Sequence, residues 1–188
     1  MSKRTIPPHR PAYPSPAGLI TSVAPDGKPN IVTLAEVFNL SIARPVIVGI
    51  AIVKSRYSHE LIAASGEFVV NFPTTRIVGA VDLCGTISGR EVDKFAASGL
   101  TPIPAQLVKA PLIAECPLNL ECRLLGIEET GDHDLFKGEV LAEHADEEIL
   151  DEYGRIQVDK LDPLCYLFGE YWSIGVKRGW HGFTKSGE

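Results

Sequence analysis

Two short basic stretches stand out in a chain whose net charge is -6: Lys54-Ser55-Arg56-Tyr57-Ser58, and Ser88-Gly89-Arg90 followed by Lys94. The Ser-Gly step leaves backbone amide donors uncovered and its dihedrals free, and two cations lie close by. That chemistry suits an anion, most commonly a phosphate group. The first stretch falls where an apolar segment hands over to a helical one. A helix N-terminus carries orphan N–H groups and the positive end of the dipole, so the added cations and hydroxyls make an anion site there. Each charge-assisted hydrogen bond would contribute about 1.5–3 kcal/mol. Both stretches also have a plainer reading: a capped helix with a solvated basic start, and a turn leading into a helix capped at Asp93. Their occurrence together in one domain favours a shared phosphate more than either does alone.

A third candidate is Gly131-Asp132-His133-Asp134-Leu135-Phe136-Lys137-Gly138. Two flanking carboxylates would set the charge and orientation of His133, as a proton donor or as a donor to a ligand amide. The alternative is an exposed turn histidine with no role. Other chemistries lack their signatures. HExxH and His/Cys clusters with metal-ligand spacing are absent, so no metal is expected. GxSxG, GxGxxG and GxxxxGK[ST] are absent as well, which leaves no support for a serine hydrolase, a dinucleotide fold or a P-loop.

The elements that must position these residues read mainly as strands. The first sixteen residues hold five prolines and read as an extended arm, 1–16, ahead of one domain, 17–188. AGLITSVA and NIVTLAEVF are strands joined by the turn PDGK, and PVIVGIAIV is a strand buried on both faces. SRYSHELIAASG is a helix, with Ser55 or Ser58 as its cap and Gly66 at its exit. EFVVNF is a further strand; TTRIVGAVDLC and DKFAASG have helical spacing. PLNLECRLLGIEE alternates Leu118, Leu120, Cys122 and Leu124 with Asn119, Glu121 and Arg123, which predicts a strand with one wet face. DLFKGEVLAEHA, PLCYLFG and YWSIGVKRG complete the strands, and DEEILDEYGRIQVDKLDP reads as an acidic surface excursion. Six to eight strands with short connecting helices suggest a closed or nearly closed barrel, although a sandwich fits the same pattern.

Composition narrows the partners. With no basic stripe, a nucleic-acid partner is not expected. No apolar run approaches a membrane span, and the N-terminus carries no signal-like apolar segment. The four cysteines, Cys84, Cys116, Cys122 and Cys165, have neither zinc spacing nor disulfide density, and read as reduced, mostly buried thiols of a cytoplasmic protein.

Taken in order, PNIVTLAEVFNLSIARP, SRYSHELIAASGEFVVNF, CGTISGREVDKF, LTPIPAQLVKAPLIAECPLNLEC, GDHDLFKGEV and GEYWSIGVKRGWHGFT resemble the flavin reductase-like family of FMN-binding split barrels, in its flavoredoxin-type branch. The likeness runs from about Pro14 to Thr184. SGR followed by DKF, and GDHxxxxG, are its more specific parts. The resemblance implies a mainly β, Greek-key split β-barrel with short helices in the connections, a non-covalent FMN, and a homodimer whose interface borders the flavin. It implies that Ser55, Arg56 and Ser58 bind phosphate and ribityl groups, beside Lys54 of the same basic cluster. Ser88, Gly89, Arg90 and Lys94 form the second phosphate loop. Asn30 and Thr33-Leu34-Ala35-Glu36-Val37 lie along the isoalloxazine ring, Asn71 faces the same cleft, and His133 serves the nicotinamide side. The implied activity is NAD(P)H-dependent reduction of flavin or another acceptor. The alternatives are an electron carrier that needs a redox partner protein and does not itself oxidise NAD(P)H, and a non-redox binder of another phosphorylated ligand. Glu36 departs from the family pattern. A carboxylate beside the flavin would lower its reduction potential by Coulomb repulsion, unless it turns to solvent or across the dimer.

Overall fold

The computed structural model describes residues 2–8 and 14–185. A short strand, β1 (Ser15–Pro16), precedes the hairpin of β2 (Gly18–Val23) and β3 (Pro29–Leu34); β4 (Val37–Ser41), β5 (Ile47–Val53), α1 (Tyr57–Ser65) and β6 (Glu67–Phe72) follow. A 3-10 turn at Thr75–Ile77 leads into α2 (Val78–Thr86), then α3 (Lys94–Ser98), β7 (Pro102–Ile103) and β8 (Leu112–Ile113). The long hairpin of β9 (Leu118–Glu129) and β10 (His133–Ala145) comes next, then α4 (Val158–Leu161), β11 (Leu164–Leu167) and β12 (Glu170–Ser173).

Seven antiparallel strands form one sheet in the order β3-β2-β6-β9-β10-β5-β4. Its two edges, β3 and β4, are separated in sequence by only Ala35 and Glu36. So short a link spans roughly 10 Å, so the sheet must curl until its edges nearly meet. The Glu36 carbonyl also accepts a hydrogen bond from Ala51 N at 3.0 Å, which stitches the seam to β5. The result is a nearly closed barrel.

The two-residue period of the strands divides the core. Ile20, Val32, Leu34, Val37, Ile50, Ile52, Phe68, Val70 and Phe136 fill the barrel. On the opposite faces, Leu19 and Ile31 pack under Val81, Cys84 and Phe95 of α2 and α3. Because both faces of β2 are covered, its residues are buried almost without interruption, Thr21 and Ser22 included. Gly138 is required by packing: a Cβ there would press on the ring of Phe68.

Several sequence expectations are modified. NIVTLAEVF is not one strand but two, broken at Ala35-Glu36, because the chain crosses from one sheet edge to the other there. The expected wet face of β9 is dry at its start. Glu121 is fully buried and Asn119 nearly so, since the segment between α3 and β9 lies over them. Glu121 accepts hydrogen bonds from the backbone N–H groups of Gln106, Leu107 and Val108 at 2.6–3.0 Å and lies 2.7 Å from His144 Nε2. Burial works against its charge, but the Gln106 and Leu107 amides, with His144, hold its carboxyl below the usual range. YWSIGVKRG is strand only as far as Ser173. Ser15 and Pro16, expected within the arm, pair with Tyr166 and Cys165 of β11; positions 9–13 of that arm lie outside the described residues, and residues 2–8 are exposed. Neither serine caps α1. Arg56 occupies the N-cap without a side-chain bond, whereas Asp93 caps α3 through Ala96 N and Gly66 and Gly99 close their helices in the left-handed region. The cysteines are free thiols, three of them buried. No helix among the described residues is long and apolar enough to cross a membrane.

Candidate functional site

The two basic stretches converge. A small cavity of about 100 Å³ is lined by Ser55, Arg56, Ser58, Ser88, Gly89, Arg90 and Lys94, with Asn30 and Tyr57 beside them. The convergence follows from the fold: α1 starts at the end of β5, and the Ser88-Gly89 turn links α2 to α3 across β3. Among the described residues, no carboxylate lines this cavity. Arg90 lies at its rim, 2.6 Å from Glu60 and 4.7 Å over the ring of Tyr57. Lys94 lies deeper, only 5% exposed, and donates to the Cys84 carbonyl at 2.7 Å. Burial lowers its ammonium pKa to about 8, and Arg56 nearby pushes in the same direction. A buried ammonium beside a guanidinium is the environment an anion relieves.

Two further observations describe how β3 and the Ser88-Gly89 turn meet at this cavity. The Oδ1 of Asn30 is buried without a hydrogen-bond partner, while its Nδ2 donates to Ser58 Oγ at 2.7 Å. Gly89 packs directly against that amide, and any Cβ at this position would collide with Asn30 Oδ1. The turn must carry glycine to come this close, which leaves its amide uncovered.

A second cavity of about 350 Å³ opens on the other side of Arg56, which lines both. Thr33, Leu34, Ala35 and Glu36, the seam of the barrel, form one wall. Asp82, Gly85 and Thr86 of α2 form another, and Tyr166, Gly169 and Tyr171 of the C-terminal hairpin close the top. Tyr171 donates its hydroxyl to Asp82 Oδ1 at 3.3 Å; burial, and then the Asp82 charge, push its pKa up to about 12, so it remains a donor. His133 also lines this cavity, with Nδ1 2.9 Å from Asp132 Oδ1. That hydrogen bond holds the Asp132 carboxyl below its usual range.

Thus Thr33, Leu34, Ala35, Glu36 and His133 gather in the larger cavity, and Asn30, Ser55, Arg56, Ser58, Ser88, Gly89, Arg90 and Lys94 in the smaller. Three expected site residues lie in neither. Val37 points into the barrel core. Lys54 turns away to Glu129 at 3.3 Å and Asp134 at 3.5 Å. Asn71 is fully buried; it donates to Leu19 O at 2.9 Å and accepts from Ile113 N at 3.0 Å and Asn119 Nδ2 at 2.8 Å, work that holds β8 against the sheet. Asn30 belongs with the cationic corner rather than along the seam. Asp82, Thr86, Tyr166 and Tyr171 were not singled out from sequence. Tyr166 and Tyr171 fall within segments that read only as strands, and nothing in such a segment distinguishes a cavity wall from a surface strand.

Comparison with known proteins agrees with the fold. The flavoredoxin of Desulfovibrio vulgaris (Miyazaki F) superposes with a TM-score of 0.91 at 29% identity, covering 98% of this chain and 100% of that one. The flavoredoxin of Methanosarcina acetivorans gives 0.88 at 32% identity and 98% of both chains. An uncharacterized protein of Archaeoglobus fulgidus is 46% identical over 114 residues, 61% of this chain and 64% of its own. Against this relative and two further archaeal ones, the chain spans between 46% and 64% of their lengths. The fold is therefore that of the split barrels, and residues 10–175 match the flavin reductase like domain family, to which this chain belongs.

Proposed function

We propose that this protein is an FMN-dependent oxidoreductase that binds its flavin non-covalently, phosphate in the small cavity and ring in the larger one. The observation that carries this reading is that Arg56 lines both cavities, so a charged end and a roomier, mixed-polarity end form one continuous site. When bound, the flavin supplies hydride and electron transfer. The protein supplies position and charge. Lys94, Arg56 and Arg90 match the phosphate, and Ser55, Ser58 and Ser88 add hydroxyls. The seam residues lie along the ring, with Glu36 beside it, where its charge lowers the reduction potential. A chamber of about 100 Å³ suits one terminal phosphate, which favours FMN over a dinucleotide. His133, at the mouth of the larger cavity, donates to the amide of a nicotinamide co-substrate, NADH or NADPH. A homodimer completes the site; Phe38, Leu40 and Ile42, exposed on and beyond the edge strand β4, form apolar surface that a second copy would cover. The free thiols suit the reducing cytoplasm.

The test is direct. Protein titrated with FMN should develop a bound-flavin absorption spectrum and then oxidise NADH or NADPH in steady state. Failure to take up FMN would overturn the reading. The similarity to two flavoredoxins over 98% of the chain favours a second reading, a carrier that exchanges electrons only with a redox partner protein. Anaerobic stopped-flow mixing with NADH and NADPH separates the two: rapid bleaching of the flavin band supports the reductase, and its absence the carrier.

A further inference from the structure

The buried carboxylate of Asp134 joins the two stretches that frame the cavities. Its side chain is 7% exposed, with Oδ2 2.8 Å from His59 Nε2 and Oδ1 3.5 Å from Lys54 Nζ. Lys54 immediately precedes Ser55 and Arg56, and His59 immediately follows Ser58. One carboxylate therefore holds one flank of the basic segment at the start of α1 by a hydrogen bond, through His59, and the other by a longer ion pair, through Lys54. His59 is further fixed by the ring of Phe136, edge-on at 4.9 Å between centroids. Lys54 also reaches Glu129, at the end of β9, at 3.3 Å. Asp134 itself follows His133 on β10 and sits opposite Ile52 of β5. None of Asp134, His59 and Lys54 lines either cavity.

The fold alone does not require this arrangement. The register of β10 is already set by seven pairings with β5 and by the longer ladder to β9. A charge this deep carries a heavy desolvation penalty unless it is paired. Here the pairing partners are the two residues bracketing Ser55-Arg56-Tyr57-Ser58, and the His59 hydrogen bond keeps Asp134 ionised, its carboxyl held below the usual range.

We propose that Asp134 is a positioning residue for the phosphate corner: it clamps Lys54 and His59 so that the intervening segment presents Arg56 to both cavities, and it ties that segment to the strand carrying His133. The preorganised loop then binds phosphate without first having to order itself. This rests on the FMN reading above, and the test keeps the two apart.

Affinities for FMN and for riboflavin, which lacks the phosphate, are measured by flavin fluorescence quenching for the wild type, Asp134→Asn, His59→Gln and Lys54→Gln, with thermal unfolding alongside. Asp134→Asn should weaken FMN binding about tenfold and riboflavin binding less than twofold. His59→Gln should act in the same direction but less, and should add little on top of Asp134→Asn, because both remove one clamp. Equal losses for the two flavins, or an FMN affinity left unchanged, would overturn the proposal. Should Asp134→Asn fail to fold, the FMN-to-riboflavin ratio in His59→Gln and Lys54→Gln decides: a lowered ratio supports the clamp and an unchanged one refutes it. A wild type that does not distinguish FMN from riboflavin would instead refute the phosphate assignment, and this proposal with it.

Discussion

The two cavities that meet at Arg56 are built in opposite ways. The smaller is assembled mainly from two short stretches, 55–58 and 87–94, set against Asn30 and Val32 of β3, and each stretch is brought in by a helix start or a turn and carries charge and hydroxyls. The larger sets the four seam residues Thr33–Glu36 against scattered residues from α2, the end of β5, the start of β10 and the C-terminal hairpin, and mixes carboxylates, tyrosines and apolar groups. The first is lined by cations and hydroxyls and has little freedom to vary: Gly89 has no room for a Cβ against Asn30. The second is a room whose shape is set by how distant elements meet. Affinity should reside mainly in the first and choice of reaction partner in the second.

Removing the shared residue tests this division most severely. Arg56→Ala deletes charge-assisted hydrogen bonds worth about 1.5–3 kcal/mol each, and with two of them to a phosphate FMN affinity should fall at least about 100-fold. Riboflavin affinity should drop only a few-fold, because the larger cavity loses one wall and no phosphate contact. Arg90→Ala should cost less, about tenfold, since that guanidinium is half exposed and already engaged by Glu60 and Tyr57. Parallel fluorescence titrations with the two flavins check both. An Arg56→Ala loss shared equally by the two would abolish the distinction between the cavities.

The same contrast accounts for what the sequence could reveal. Lys54–Ser58 and Ser88–Lys94 are legible because the chemistry lies within a few adjacent residues and the local elements that present them are equally local. Lys54 nevertheless turns away, because Asp134 and Glu129, more than seventy residues along, take its charge. Asn71 misleads for the converse reason. A polar residue at a strand end looks like a cleft group, yet here it satisfies the backbone of β8 and the Asn119 amide, and neither need can be seen without tertiary structure. Glu121 is the same case within β9: the alternating pattern correctly sets which face it is on, but not that a loop covers that face. The strands themselves were legible from alternation in Leu118–Leu124, from a continuous apolar run in 46–53 and from the PDGK turn between the first two, and the seam at Ala35-Glu36 was not, because nothing local marks a chain crossing from one sheet edge to the other.

Lys94 offers a milder probe of the small cavity, through pH. Its ammonium loses a proton near pH 8 instead of near the ordinary 10.5, because burial disfavours the charge. Above pH 8 the folded protein loses this cation, so FMN affinity should fall about tenfold between pH 7 and pH 9, while riboflavin affinity stays level. Stability of the apoprotein runs the other way. The depressed pKa means that the folded state bears a cost of about 3 kcal/mol below pH 8. That cost disappears as pH rises from about 8 toward 10.5, where the unfolded chain also loses the proton. Lys94→Met should remove both dependences, with FMN weak at every pH. Retention of the full pH dependence in Lys94→Met would assign it to another group.

The smallest effect sharpens the comparison from the other side. Tyr171 closes the larger cavity and donates to Asp82 across 3.3 Å, a long hydrogen bond to an exposed carboxylate. Its pKa of about 12 keeps it protonated throughout the range in which the protein would be assayed, so no pH effect should arise from it. A bond of this kind contributes at the low end of about 0.5–1.5 kcal/mol. Tyr171→Phe should therefore weaken flavin binding about threefold, and by the same factor for FMN and riboflavin, because in the proposed site the phosphate would sit beyond Arg56 in the other cavity. The discriminating quantity is again the ratio of the two affinities rather than either one. A Tyr171→Phe variant that loses FMN selectively would mean that the C-terminal hairpin reaches the phosphate corner, and that the two cavities act as one undivided site.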